Sequence, residues 1–185
     1  VSPGSRVVVF TNNDSAYTAV LDLVAAGISV EAVIDLRSQV EGEWPRLVRE
    51  ANIPVMQGHA ITGTKGHYRV SEVSVMRLND ASDGVEGKIR RLKCDCILMS
   101  GGWNPVVHLF SQSRGKLKFN EVDSTFLPDK AVQAQRSVGA CNGAGSYSQC
   151  MIEGTNAGSA AALDTGFDTG VADLPTCSEL TMHPI

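Results

Sequence analysis

Two glycine-rich turns hold the residues of this sequence that are best placed to contact a ligand. The first, residues 100–102, follows the apolar run 94–99. That run has the length and composition of a strand buried on both faces of a parallel sheet. Adjacent glycines allow a tight turn and let the backbone approach a bound molecule, because no Cβ is in the way. Ligands of open α/β sheets bind outside the carboxyl ends of the strands, so we expect this turn to face a ligand.

The second turn is the glycine-rich loop 138–145, which leads into a helix predicted over 146–163. The unpaired amides and the dipole of a helix start both favour negative charge, so this loop is a candidate anion site. Small residues lie three and four positions apart along the helix, which predicts close packing of one face against a neighbour. The residues of that face are Gly154, Ala157, Gly158 and Ala161.

A third candidate is Asp35, at the end of a predicted strand–helix–strand unit. The segments 6–11, 16–26 and 28–35 form this unit, which crosses over right-handed into a parallel sheet. Asp35 lies about 20 residues beyond the first turn, where a dinucleotide-binding unit places its ribose-binding acid. However, the turn 11–16 contains no glycine to expose amides to a pyrophosphate, and Asp14 would repel a phosphate. We interpret the unit as a nucleotide-binding shape without a phosphate site, serving as a scaffold.

The remaining elements position these turns. A helix is predicted over 43–52 and a short strand over 53–57, and two alternating segments (67–78 and 88–93) predict an antiparallel meander. A short helical piece follows at 106–110, then a basic, glycine-punctuated stretch at 113–119 and a loop through 127–129. The segment from Phe167 onward has no clear period and is expected to be an exit linker.

Composition excludes several classes of function. The net charge is −4 over 185 residues and no run of Lys and Arg could follow phosphates, which argues against nucleic-acid binding. No apolar run approaches the length of a membrane span. The five cysteines suit reduced thiols in a reducing compartment, and Cys94 and Cys96 are expected on one face of a strand. We find no paired carboxylates, redox cysteine pair, Ser/His/Asp arrangement or metal-ligand cluster, so no catalytic residue and no metal site are expected here.

The order of elements resembles that of two-dinucleotide-domain flavoproteins of the glutathione reductase type, in which the second domain is inserted into the first. The resemblance implies an α/β fold with a Rossmann-like parallel sheet, an antiparallel β-meander, and the returning half of a second dinucleotide-binding domain. It also implies three regions. An inserted domain would cover residues 1–93, the returning segment 94–168 and an exit linker 169–185. Since the sequence starts without Met or a signal peptide, we expect a piece of a longer protein.

Three strings are similar to the alpha subunits of heterotetrameric sarcosine oxidase: VVVFTNNDSAY (7–17), SGGWNPVVHLFSQSRGKLKF (100–119) and VGACNGAGS (138–146). This resemblance implies a cytoplasmic oxidoreductase that demethylates sarcosine to glycine and forms hydrogen peroxide and, with tetrahydrofolate, methylene-tetrahydrofolate. It implies NAD in the alpha subunit, with FAD and FMN held mainly by the partner subunit and the interface. The implied partners are the beta, gamma and delta subunits.

The same resemblance assigns residues of both turns to the wall of the NAD pocket. They are Ser100, Gly101, Gly102, Asn104, Gly139, Ala140 and Gly143. Two departures limit the assignment. Ala140 replaces the acid that usually holds a sugar hydroxyl, and the glycine-rich turn for the pyrophosphate is expected upstream, so half a pocket is present.

Two alternatives remain open. One is an NAD(P)H-dependent, FAD-containing disulfide or flavin oxidoreductase, which would need the phosphate fingerprint that the turn 11–16 lacks. The other is a structural scaffold of an amine oxidase complex that binds no nucleotide. Titration of the full-length subunit with NAD separates the scaffold from a nucleotide-binding subunit.

Overall fold

The computed structural model describes residues 2–167, 170, 173 and 174, and it divides into two units. The first unit runs to Gly102 and the second begins at Trp103. Apart from Gly170, Asp173 and Leu174, the predicted exit linker 169–185 lies outside the described residues, as does Cys177.

The first unit contains a parallel sheet and an antiparallel meander, which confirms the predicted α/β fold class. The parallel sheet has the strand order β3-β2-β1-β7, and the meander has the order β4-β5-β6. The elements of this unit are β1 (Arg6–Thr11), α1 (Ser15–Ala25), β2 (Ser29–Asp35), α2 (Glu43–Glu50), β3 (Val55–Gln57), β4 (His59–Gly66), β5 (Val70–Leu78), β6 (Val85–Lys93) and β7 (Cys96–Ser100).

Two hydrophobic clusters lie on opposite faces of the parallel sheet. Val7 and Val9 of β1 pack in a cluster with Tyr17 and Val20 of α1, whereas Val8 packs in the other. This second cluster includes residues of the meander, so the unit has three layers: helices, parallel sheet and meander. Successive strand residues point to opposite faces, and both faces of β1 are therefore buried.

Strand β7 pairs in parallel with β1, from Val7 opposite Cys96 to Thr11 opposite Ser100. It therefore belongs to the first unit, which ends at Gly102, whereas the predicted inserted domain ends at residue 93. The prediction that this strand is buried on both faces is also wrong for the described residues, because β7 is an edge strand and Met99 is 75% exposed.

The two cysteines near β7 do not share a face, contrary to the prediction. Cys94 lies in the cluster beneath the meander, whereas Cys96 packs against the cluster on the helix side. The spacing of two residues predicts a shared face only within a strand. Cys94 lies before β7, which begins at Cys96, so regular alternation does not apply to it.

The second unit contains α3 (His108–Gln112), β8 (Lys116–Asn120), β9 (Thr125–Lys130), a short 3-10 helix (Gly139–Asn142) and α4 (Tyr147–Asp164). Strands β8 and β9 form an antiparallel hairpin, where the sequence predicted a loop over 127–129 and no strand. Pro128 pairs with Leu117 in this two-stranded ribbon, and a proline is tolerated there because an edge strand does not need every amide.

Helix α4 begins at a capping residue, since the Ser146 side chain accepts a hydrogen bond from the Gln149 amide. No residue of α4 is buried, so its predicted close packing has no counterpart in the part of the chain that the structure describes. A Cβ added at Gly154 or Gly158 would meet nothing within 4 Å. Among the described residues, no helix combines the length and apolar character needed to cross a membrane.

Candidate functional site

The carboxyl ends of three strands of the first unit lie side by side, as the sequence predicted for a ligand site. Thr11 is in register with Asp35 on β2 and with Ser100 on β7. The side-chain nitrogen Nδ2 of Asn13 donates to the backbone oxygen of Ser100 at 3.3 Å and to its hydroxyl at 3.1 Å. Asn12 donates to the backbone oxygen of Gly101 at 3.5 Å. The turn after β7 is thus tied to the turn after β1.

The turn after β1 is filled by its own polar groups. Asn13 is 1% exposed, and its side-chain oxygen accepts the amide of Ser15 at 3.1 Å. The Thr11 hydroxyl donates to the backbone oxygen of Asn13 and accepts the Asn13 amide. A dinucleotide-binding unit would instead offer amides of this turn to a pyrophosphate. Here the amides of Asn13 and Ser15 already have side-chain acceptors.

The predicted ribose-binding acid, Asp35, has no acceptor capacity left for a sugar. One carboxylate oxygen accepts the Arg37 amide at 2.9 Å and its Nε at 3.1 Å. The other accepts the Tyr17 hydroxyl at 2.8 Å and Arg37 Nη2 at 2.9 Å. A carboxylate offers about four acceptor positions, and all of them are used. Sequence reasoning located Asp35 correctly but missed Tyr17 and Arg37.

Arg37 also joins a second buried carboxylate. Its Nη2 lies 2.8 Å from Asp14 Oδ1, at the start of α1. Burial disfavours the guanidinium charge, but hydrogen bonds to Asp35 and then to Asp14 outweigh it and raise the pKa of Arg37. Burial, followed by the negative charge of Asp35, also raises the pKa of Tyr17, which keeps this hydroxyl protonated and able to donate. An incoming phosphate would therefore meet Asp14 beside a guanidinium that two carboxylates already bind.

The glycines of the turn after β7 differ in what they tolerate. Gly102 has a φ of +92°, a left-handed conformation that favours glycine. A Cβ at Gly101 would meet no atom within 4 Å. The space next to Gly101 is therefore open, and Gly102 is required mainly by the backbone.

The other four predicted pocket residues lie in the second unit. Asn104 and Ala140 are exposed. Gly139 is buried with a φ of +72°, and its amide donates to Glu153 Oε2 at 2.8 Å. Gly143 has a φ of +89°, and a Cβ there would lie 2.9 Å from Leu127. The backbone thus requires Gly139 and Gly143, whatever their role towards a ligand.

Glu153 of α4 is a polar residue of this region that sequence reasoning missed. Besides Gly139, it accepts a weaker hydrogen bond from the Asn142 side chain at 3.4 Å. The carboxylate belongs to α4 and not to the glycine-rich loop that it contacts, so no spacing within a sequence motif could predict this contact. It also lines an open cavity of about 490 Å³ within the second unit. The polar residues around this cavity include Gln135, Arg136, Ser137, Asn142, Glu153 and Asn156.

Two further features of the described residues are the possible metal ligands and the cysteine thiols. No group of three or more His, Cys, Asp or Glu side chains there could hold a metal ion. The four described cysteines are free thiols. Burial, then the charge of Asp95, raises the pKa of Cys94, which makes its thiolate scarce near neutral pH.

Solved structures with similar folds include a thioredoxin reductase and an L-proline dehydrogenase. The thioredoxin reductase of T. acidophilum superimposes with a TM-score of 0.58 and 18% identity over 85% of this chain and 50% of that one. The L-proline dehydrogenase of P. horikoshii gives a TM-score of 0.52 and 16% identity over 91% of this chain and 28% of that one. These likenesses support a Rossmann-like α/β fold for this chain.

Curated relatives within this class narrow the resemblance to sarcosine oxidase subunit alpha. The chain is 38% identical to that subunit from Corynebacterium sp. strain P-1 over 177 residues, which is 95% of this chain. It is 29% identical to the subunit from Rhizobium meliloti strain 1021 over 83% of this chain. These comparisons confirm the resemblance inferred from the sequence. The chain spans only 18% and 14% of the two relatives, respectively. No protein-family model matches it.

Proposed function

We propose that this chain is a segment of a sarcosine oxidase alpha-type subunit and contributes part of a NAD-binding dinucleotide fold to the complex. The observation that carries the proposal is the 38% identity over 95% of the chain. The fold class supports it independently, because its solved neighbours are FAD/NAD(P)-dependent enzymes. The finer activity we propose is oxidative demethylation of sarcosine to glycine, with hydrogen peroxide and methylene-tetrahydrofolate as further products.

In this proposal the chemistry lies outside the segment. FAD and FMN are held mainly by a partner subunit and its interface, and the complex contains beta, gamma and delta subunits. The residues of this segment bind and orient, and none of them reacts. The glycine turns at residues 100–102 and 139–143 form part of the NAD pocket, and the complete pocket requires further chain.

We assign the first unit a supporting role within that pocket. Its own dinucleotide position is closed, since Arg37 bridges Asp14 and Asp35 at 2.8 and 2.9 Å. Opening it would strip two buried carboxylates of their counterion, which costs several kcal/mol when a buried pair is broken. A nucleotide bound at this position would have to supply that free energy. We therefore place NAD away from the turn after β1 and from Asp35.

The test uses the full-length subunit in its assembled complex. NAD content and sarcosine-dependent peroxide formation are measured for the parent, Gly101→Val and Gly63→Val. Gly101 borders open space at the turn, whereas Gly63 lies in β4 and also has nothing within 4 Å of an added Cβ. We expect Gly101→Val alone to lose NAD.

The readouts separate the alternatives. NAD-free parent complex with normal peroxide formation would favour the structural scaffold. NAD(P)H-dependent reduction of a disulfide or a free flavin, without amine oxidation, would favour the reductase. If peroxide forms with another secondary amine but not with sarcosine, the proposed substrate would be wrong but the proposed class, an amine-oxidising oxidoreductase, would stand.

A further inference from the structure

The meander presents one face that nothing in the described structure covers. Val73 and Val75 of β5 point into the core beneath the meander, so Glu72 and Ser74, which alternate with them, point outward. Across the three strands, the outer face contains the row Lys65, Glu72 and Lys93, followed by the row Gly63, Ser74 and Arg91. The second row carries two small residues, which leave room for side chains of a partner.

This outer face is basic within an acidic chain. Residues 59–93 contain seven of the sixteen Lys and Arg residues but only four acidic residues, whereas the whole chain carries −4. On the face itself, Glu72 is the acid between three cations. Its Oε1 lies 3.2 Å from Lys65 Nζ and 3.7 Å from Arg91 Nε. Lys93 forms no ion pair with any described residue.

The neighbouring edge of the meander extends the positive charge. Strand β6 is the edge strand, and all of its residues except Leu92 are exposed. It adds Lys88, which is not ion-paired to a described residue, whereas Arg90 is in register with Val75 and lies on the opposite face. A bulge puts three residues, Gly87 to Ile89, opposite the single Met76. Because bulges interrupt strand pairing, a partner would contact side chains here and would not extend the sheet.

We propose that this basic surface, defined as Lys65, Lys88, Arg91 and Lys93, is a docking site for an acidic surface of a partner protein. Unpaired charges of one sign steer a partner of the opposite sign and determine which partners bind. Glu72 at the centre would repel a continuous phosphate backbone but can accept hydrogen bonds from a protein. A second copy of the same surface would be repelled, since an isologous contact puts like charges together.

The experiment uses the full 185-residue chain and a fluorescent glutamate decamer as the acidic probe, followed by fluorescence anisotropy. We expect binding that weakens at least tenfold for Arg91→Glu/Lys93→Glu and for the neutral Arg91→Gln/Lys93→Gln. The matched control is Lys116→Glu/Lys118→Glu on β8, which changes the net charge equally and should bind like the parent. Circular dichroism checks that each variant is folded.

Four results would overturn the proposal. The first is that the decamer does not bind, and the second is that the β8 control weakens its binding equally. The third is that a 15-base-pair duplex or anionic vesicles bind more tightly than the decamer. The fourth is that the parent chain self-associates and the β6 variants abolish this self-association. The first result would show that the surface binds no acidic partner, and the second that binding depends on net charge alone. The third and fourth would show that the surface binds another class of partner.

Discussion

Among single residues, Arg37 determines how the strand ends of the first unit are occupied. Its side chain is 16% exposed and contacts Asp14 and Asp35, which are both fully buried. We expect Arg37→Leu to destabilise the chain by about 3–5 kcal/mol, because two buried carboxylates lose their counterion. Arg46→Leu is the matched control. Arg46 is 55% exposed and pairs with Glu50, so its loss should cost only about 0–1 kcal/mol. Equal shifts in denaturant midpoint for both variants would contradict the buried network.

Asp95 makes a pH-dependent contribution to stability. Its carboxylate accepts the amides of Ser5 and Arg6 and the Ser5 hydroxyl, which lowers its pKa to about 2. In the unfolded chain an Asp has a pKa of about 3.9. A group with a depressed folded pKa stabilises the fold above its unfolded pKa, and this contribution fades as pH falls towards the folded value.

We therefore expect Asp95→Asn to be less stable than the parent above about pH 4, with the difference closing between about pH 4 and 2. Denaturant unfolding across this range measures the effect. Asp80→Asn is the control, since Asp80 is fully exposed and the gap to the parent should stay small and flat. A gap of constant size for Asp95→Asn would show that hydrogen-bond geometry, and not charge, matters at this site.

Among secondary-structure elements, α4 shows what sequence can and cannot predict. The stripe of small residues predicted a covered face, but Gly154 and Gly158 have open space around them in the described structure. Small residues indicate that something can approach closely, and they do not identify it. Strands β8 and β9 were also missed. The segment Lys116–Asn120 does alternate polar and apolar residues, but Pro128 interrupts the strand that pairs with it.

We expect Gly158→Ala to stabilise this chain by about 1 kcal/mol, because alanine is a better helix former and the added methyl meets nothing. Gly158→Leu should also be tolerated, whereas the close packing predicted from the sequence would make it destabilising. The denaturant midpoint at constant slope measures both variants. If Leu were destabilising while Ala was not, the face would be covered in solution. In an assembled complex, that result would identify α4 as a contact helix.

For the whole molecule, the sequence predicted the order of elements apart from β4, β8 and β9, and it located Asp35 and the glycine turns. It did not group β7 with β1, because their pairing joins residues about 90 apart, which local pattern does not encode. It also missed the basic surface of the meander. Lys65 and Lys93 are distant in sequence and become neighbours only through the register of three strands.

The pairing of β7 with β1 determines the piece with which the closed dinucleotide position should be tested. A piece ending at residue 93 would lack β7 and leave β1 paired with β2 alone, so residues 2–102 are the appropriate unit. We expect this piece to bind NAD with a Kd no tighter than about 1 mM, or about −4 kcal/mol. The reason is that Asp35 is saturated and the turn after β1 is filled by Asn13.

Calorimetric titration measures that affinity, and circular dichroism first checks that the piece is folded. Arg37→Leu supplies a second comparison, because it removes the guanidinium but leaves Asp14 facing any phosphate. We expect it to bind no better than the parent piece, since the repelling carboxylate then lacks its counterion. Micromolar NAD affinity of the folded parent would mean that the network opens at little cost, and the first unit would then be a binding domain in its own right.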